Sequence, residues 1–293
     1  MAIPPYLGRL GCTATSRRLL AHGLVDADGQ RRQLARVIRT VVGQIRRPRR
    51  AGGKVARTLS GGLRGSFADG HVHWNVSPYY TRVDNDILTI FTGGSLQGYF
   101  ANVPRTLRKG VDLGIGGGLG GLEWQANYSV IDATYGTPFV ELAADNSSAD
   151  RDGAIHVVPG DRLPGVPRNV FTLSVEYRLT AQWSLGGNLR ALSSQYATGD
   201  DNNQDRHGPV PGHAVVNLDL HYRASRSLTL FVEVDNVFDH RYFISGQLSD
   251  NVFDSPNRLI DTTGPGTSTL FVVPGAPRGW FVGLRYDFGK EKS

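Results

Sequence analysis

From about residue 70 onward, apolar and polar side chains take turns with a period of two, and the pattern recurs in separate segments. In Asn169 to Leu179 the apolar set is Phe171, Leu173, Val175, Tyr177 and Leu179, against Thr172, Ser174, Glu176 and Arg178. Leu122 to Val130, Gln182 to Leu192, Ala214 to Arg223 and Trp280 to Phe288 alternate in the same way, and Val72 to Arg82, Ile87 to Thr92, Leu107 to Gly116 and Leu228 to Phe238 do so less perfectly. Successive side chains of a strand point to opposite faces, so each segment has one greasy and one polar face. The pattern predicts nine clear strands, or ten with Thr58 to Phe67, in an all-β antiparallel fold.

A soluble sandwich also alternates, so the connections carry the distinction. Short links at Val83 to Asp86, Gly117 to Gly121, Thr180 to Ala181 and Ala224 to Arg226 take turns with long ones at Gly93 to Thr106, Ile131 to Arg168, Ser193 to His213 and Asp239 to Gly279. Tight turns at one end and long loops at the other are the pattern of an outer-membrane barrel. Tyr177, Trp183, Tyr222, Trp280, Tyr286 and Phe288 fall toward strand ends, where amphipathic rings sit at a membrane interface. On this reading Glu176, Arg178, Arg190, Asp219, His221, Arg223, Glu233, Asp235, Arg285 and Asp287 line the lumen, and their expected role is mutual neutralisation across neighbouring strands.

Composition changes the picture at one place. The 293 residues carry a net charge of +6, but residues 1–57 hold twelve Arg and one Lys against Asp26 and Asp28, a net of +11, which leaves −5 for the rest. The same segment has one aromatic residue, Tyr6. Within it, Arg31 to Arg47 places Leu34, Ile38, Val41 and Ile45 at helical spacing, so the segment is expected to be partly helical or disordered. It is not a secretory signal, and its Arg-, Ala- and Gly-rich text also arises when GC-rich DNA is read in the wrong frame or from the wrong start. A nucleic-acid-binding role is not expected, since such charge runs are usually solvated. The expected organisation is a basic segment over 1–57 with no plug domain, then barrel over 58–293. The single Cys12 leaves no intramolecular disulfide, and no run of about 18 apolar residues offers a helical span.

The last third carries a resemblance. Pro211 to Phe243 (PGHAVVNLDLHYRASRSLTLFVEVDNVFDHRYF), followed by Arg278 to Phe288 (RGWFVGLRYDF), resembles the closing strands of a TonB-dependent outer-membrane receptor. Asn236, Phe238, Asp239 and Tyr242 are similar to the family's motif near the penultimate strand, and Phe288 to its terminal aromatic, although GKEKS follows here. Arg108 to Leu113 and Pro167 to Tyr177 resemble recurrent strand starts. The resemblance implies a plugged 22-stranded barrel that takes up ferric siderophores or similar scarce nutrients, energised by the TonB complex and embedded in outer-membrane lipid. No Ser/His/Asp order, P-loop or paired-carboxylate pattern stands out, so no catalysis and no cofactor are expected. Such a barrel needs about 220 strand residues before loops or plug. The chain is therefore expected to be the C-terminal 9–10 strands of a receptor whose gene has a lost or misread 5′ region, inactive alone. The family's short TonB-contacting box is not seen.

Ligand contacts are expected from the long loops, with Arg151, Tyr196, Arg206, His207 and Arg258 as the candidate residues. Arginine suits an anionic chelate because its charged, forked donors engage carboxylates and catecholates. Other motifs are weaker. Gly116 to Gly121 satisfies G-x-G-x-x-G, but strands flank it and no helix follows. Asp201, Asn203 and Asp205 have calcium-loop spacing without the glycine and glutamate that complete such a loop, and His71 and His73 share a strand face without an acidic partner, so no metal site is expected. Two other readings stay open: an autonomous ten-stranded outer-membrane barrel with a binding or structural role, and a soluble β-sandwich binding module.

Overall fold

In the computed structural model the described residues are 38–44, 53–91, 98–251, 253–255, 258–259 and 267–288, all within one unit spanning Ala35–Ser293. Ten strands form one antiparallel sheet in the order of the chain. They are β1 (Ile38–Gln44), β2 (Val55–Phe67), β3 (Val72–Phe91), β4 (Gly98–Leu119), β5 (Leu122–Tyr135), β8 (Asn169–Arg178), β9 (Trp183–Leu192), β10 (His213–Arg223), β11 (Leu228–Asp235) and β16 (Gly279–Tyr286). Three small ribbons lie in the long connections: β6 (Phe139–Leu142) with β7 (Ala154–Val157), β12 (Phe243–Asn251) with β15 (Thr267–Pro274), and β13 (Phe253–Ser255) with β14 (Arg258–Leu259). Among the described residues, β1 and β16 each have one neighbour, so each presents one unpaired edge.

The register joins the alternating segments into continuous faces. One row runs Phe67, Val72, Gly117, Trp124, Val175, Gly187, Leu218, Val234, Trp280 across nine strands. The next row contains Trp74, Ile115, Ala126, Leu173, Leu189 and Val216. On the opposite face the rows read His73, Gly116, Gln125, Ser174, Asn188, Asn217 and Gly118, Glu123, Glu176, Gly186, Asp219, Glu233, Phe281. The apolar face is uncovered, with Val282 80% and Trp280 67% exposed. A soluble sandwich buries that face under a second sheet; among the described residues no sheet of comparable size does so.

Several expectations are corrected. Val83 to Asp86 is not a turn: β3 runs through it, and Asn85 at φ 54° kinks the strand so that the alternation slips. Asn tolerates the left-handed region because its short polar side chain bonds locally. The short connection lies instead at residues 68–71, where Ala68 and Asp69 have φ of 53° and 54°, which also puts His71 in the turn rather than on a strand face beside His73. Most of the expected loop from Gly93 to Thr106 is strand, since β4 starts at Gly98 and pairs with the end of β3. Ile38–Gln44, expected to be helical, is a strand against β2; its β-branched run Ile38, Thr40, Val41, Val42 favours an extended backbone once a strand edge is available. The rest of the basic segment before Gly53 lies outside the described residues. On the polar face, carboxylates are not neutralised pairwise: Glu123 stands opposite Glu176 and Asp219 opposite Glu233. The cations Arg178, Arg223 and Arg285 occupy the adjoining rows, and His221 sits 3.1 Å from Asp219 on the same strand.

Candidate ligand-binding loop layer

The long connections fold onto one another at the sheet end opposite the tight turns. In the first, residues 136–168, the β6–β7 hairpin lays Ala143, Ile155 and Val157, together with Leu163, against Val103, Ala133 and Tyr135 at the ends of β4 and β5, and forms the principal buried apolar cluster. Tyr135 meets Phe139 edge to face at 5.1 Å. Burial of this kind contributes about 1.5–3 kcal/mol per large side chain, enough to hold an otherwise polar loop in one arrangement.

Polar side chains then sew the loops together through backbone groups. Asn146, 3% exposed, donates from Nδ2 to the Gly199 carbonyl at 2.9 Å, while its Oδ1 accepts from Ser148 N at 2.9 Å and Ser148 Oγ at 2.6 Å. Asn203 and Arg162 exchange bonds of 2.6 and 3.0 Å. Asp205 accepts from Ser147 N at 2.8 Å and His207 N at 2.9 Å; burial alone raises its pKa, but these donors outweigh it and hold the carboxyl below its usual value. The second loop reaches the third through Leu248 N to Thr198 O at 2.9 Å and Gln195 Nε2 to Ile244 O at 2.8 Å.

The candidate ligand residues fall unevenly on this layer. Arg206 stands where all three loops meet: its N–H donates to Ser147 Oγ at 2.7 Å and its Nη2 to the Ser268 carbonyl at 3.4 Å, and most of the residue is exposed. His207 is beside it, its Nδ1 2.7 Å from Asp205. Tyr196 carries the Arg162 guanidinium over its ring at 5.9 Å. Arg151 is exposed in the turn between β6 and β7. Arg258 is in β14, and its side chain lies outside the described residues. Asp201, Asn203 and Asp205 do not converge: they engage Tyr135, the Arg162 backbone, and Ser147 with His207 respectively. Sequence reasoning missed Asn146, Arg162 and Glu141; the turn-rich runs around Asn146 to Ser148 and Asp200 to Asn203 were the available signal.

Glu141 is 4% exposed, and its Oε2 has no hydrogen-bond partner among the described residues. Burial first, and the Asp201 charge second, push it up to about 8. Asp201, which accepts from the Tyr135 hydroxyl, is pushed up to about 6 by burial and by Asp200, against that hydrogen bond. The pair titrates as a unit. Both folded values lie above the ordinary 4.5 and 3.8, so the folded layer holds protons that the unfolded chain releases. Its stability therefore falls as pH rises above those ordinary values, goes on falling to about 8, where the last of the two protons is lost from the folded layer, and levels off beyond. Hydrogen exchange of the loop amides at pH 6 and pH 9 is expected to show faster opening at pH 9, with Glu141→Gln removing most of the difference; equal protection at both pH values contradicts this.

The segment around β11 and β16 is tied by Asn236. It is 2% exposed at φ 48°, donates from Nδ2 to the His240 and Ala276 carbonyls at 2.9 and 3.1 Å, and accepts the His240 N–H at 2.9 Å. Asp239 accepts from Arg278 N at 3.0 Å, and Tyr242 packs over Gly275 and beside His213 at 4.5 Å. Phe238 and Phe288 are 75% and 88% exposed. These side chains fasten the chain leaving β11 to the chain entering β16. Over residues 54–237 the sequence matches the model of the TonB dependent receptor-like β-barrel. The chain belongs to this receptor family. The probable TonB-dependent siderophore receptor PiuA of Acinetobacter baumannii is 24% identical over 208 residues, 69% of this chain and 25% of that protein. The ferric-pyoverdine 358 receptor of Pseudomonas putida is 25% identical over 244 residues, 80% of this chain and 24% of that one. Among solved structures, the ferric yersiniabactin uptake receptor FyuA of Yersinia pestis shares the fold with a TM-score of 0.56 at 19% identity, over 80% of this chain and 30% of that chain. The chain thus spans about a quarter of the length of the curated receptors it matches. Asn236, Asp239 and Tyr242 make the knot between β11 and β16, whereas Phe238 and Phe288 extend the exposed apolar surface.

Proposed function

We propose that this chain is a C-terminal barrel portion of an outer-membrane receptor that takes up a ferric siderophore or a similar metal chelate with energy from the TonB complex, and that it works by binding and transport rather than catalysis. The basic segment over 1–57 supplies β1 and the first three residues of β2, and the barrel portion runs over 58–293. The observation that carries the reading is the joining of a continuous apolar face to a polar one, with tight turns at one end and an interlocked loop layer at the other. A lipid-facing sheet needs that division of faces, and a receptor needs an ordered polar surface above it. The names of the related receptors support the siderophore class, and Arg151, Tyr196, Arg206, His207 and Arg258 are the proposed ligand contacts, with Arg206 central because three loops meet there.

Among the described residues the sheet has two unpaired edges, which find no hydrogen-bonding partner in hydrocarbon, so the chain alone is expected to be inactive in transport. In a receptor-deleted strain expressing only this chain, accumulation of a radiolabelled ferric catecholate is expected to stay at the background of the empty strain. The purified chain in detergent is expected to retain the same chelate saturably, with retention falling about tenfold in Arg206→Gln as a charge-assisted contact is lost. Energised uptake by the chain alone, or retention that Arg206→Gln leaves unchanged, contradicts the proposal.

A further inference from the structure

The apolar face does not stay apolar to its end. Along β2, β3, β4 and β5 it passes from Leu63, Val76, Leu113, Tyr128 through Gly61, Pro78, Val111, Val130 to Leu59, Tyr80, Lys109, Asp132, then to Arg57, Arg82, Leu107, Thr134, and finally to Val55, Asp84 and Arg105. Each step of two residues advances about 7 Å, so the charged rows begin immediately past the apolar band, on the same face, at the loop end. Arg57, Arg82, Arg105 and Lys109 are 47%, 37%, 35% and 62% exposed.

Their charge is not balanced locally. Asp84 alone serves three arginines: Arg57 at 3.5 Å, Arg82 at 3.0 Å and Arg105 at 3.1 Å. Arg57 and Arg82 stand directly opposite each other, an arrangement of like charges that destabilises a strand pair unless an anion lies between them. Lys109 is paired with Asp132 at 3.1 Å. The arginine trio therefore carries two surplus positive charges. The other face at the same height is different: there Asp86, buried, takes Lys54 at 2.6 Å, Arg108 at 3.1 Å and Thr106 at 2.6 Å beneath the loop layer. The surplus lies on the outward face, with the Arg105 stem beside Gly136 where the first loop begins.

We propose that Arg57, Arg82 and Arg105 form a docking site for the phosphate of an anionic lipid headgroup in the leaflet at the loop end, with Leu59, Tyr80 and Val111 against the acyl chains beneath it. The proposal rests on the membrane reading of the apolar face. A phosphate supplies the negative charge that one aspartate cannot, forked guanidinium donors match its oxygens, and a lipid phosphate lies at the height where hydrocarbon gives way to headgroup. Each basic residue near such a surface is worth about 1 kcal/mol.

The test uses the full chain refolded in neutral detergent and floated with vesicles of phosphatidylcholine alone or with about one fifth phosphatidic acid, the added charge supplying the attraction. The chain is expected to float with both and to prefer the second by roughly thirtyfold, as a two-residue charge surplus implies. The triple variant Arg57→Gln, Arg82→Gln, Arg105→Gln is expected to lose most of that preference. A charge-matched triple, Arg47→Gln, Arg49→Gln, Arg50→Gln, controls for the basic segment and is expected to keep it. Asp84→Asn, which removes the internal anion and leaves every arginine, is expected to raise the preference, a gain that misfolding does not produce. Equal losses in the two triples, no rise with Asp84→Asn, or abolition of the preference by an equal concentration of inorganic phosphate overturns the proposal while leaving the membrane reading intact. Failure to float with either vesicle overturns both.

Discussion

Asn236→Ala is expected to destabilise the folded chain by about 2–4 kcal/mol, since it removes three hydrogen bonds made by a buried side chain, each worth roughly 0.5–1.5 kcal/mol net. Two effects combine. The side chain accepts from the His240 N–H and donates to the His240 and Ala276 carbonyls, tying the two chain segments together. The backbone at φ 48° also penalises alanine, by about 1–2 kcal/mol relative to a residue that accepts the left-handed region. Asn236→Gly separates the two, because glycine accepts the backbone and lacks the side-chain bonds; it is expected to recover roughly 1 kcal/mol of the loss. Gly275→Val attacks the same knot from the other side, since a Cβ at Gly275 would overlap the Tyr242 ring. The measurement is the urea midpoint of the chain in detergent, followed by sheet circular dichroism. An Asn236→Ala midpoint indistinguishable from the parent contradicts the role assigned to this motif.

The strands were legible where one face is greasy throughout. Asn169 to Leu179 is found as Asn169–Arg178, and Ala214 to Arg223 as His213–Arg223, because period-two alternation is set by the pleat itself. Legibility failed where local chemistry and tertiary context part. Val83 to Asp86 contains turn-forming residues, yet β4 continues alongside and keeps the backbone extended through the Asn85 kink. The first strand was hidden because Ile38, Val41 and Ile45 also fit a helical period, and only the edge of β2 decides between the two. The loop layer was the least legible part. Asn146 and Asn203 act on backbone groups more than 40 residues away, and such bonds leave no periodic trace. Arg206 and His207 were selected for their chemistry alone; their placement at the meeting of three loops came from Ser147 and Ser268, which carry no marked signal.

The second large effect concerns the division of the two faces on which the receptor reading rests. Leu173 lies on β8 between Ala126 and Leu189, in the middle of the apolar rows, while its neighbour Ser174 lies between Gln125 and Asn188 on the polar face. Arginine at a lipid-facing midplane position costs about 2–4 kcal/mol, and at a lumen-facing position little. Ser174→Arg additionally gains Glu176 two residues along the same face. The decisive measurement is the fraction of each chain that stays with phosphatidylcholine vesicles after extraction with urea, for the parent, Leu173→Arg and Ser174→Arg. Leu173→Arg is expected to lower membrane retention by roughly thirtyfold or more, the equivalent of at least about 2 kcal/mol, and Ser174→Arg to leave it within about twofold. Equal retention by the two variants, or a larger loss for Ser174→Arg, would contradict the assignment of this sheet to the wall of a membrane barrel.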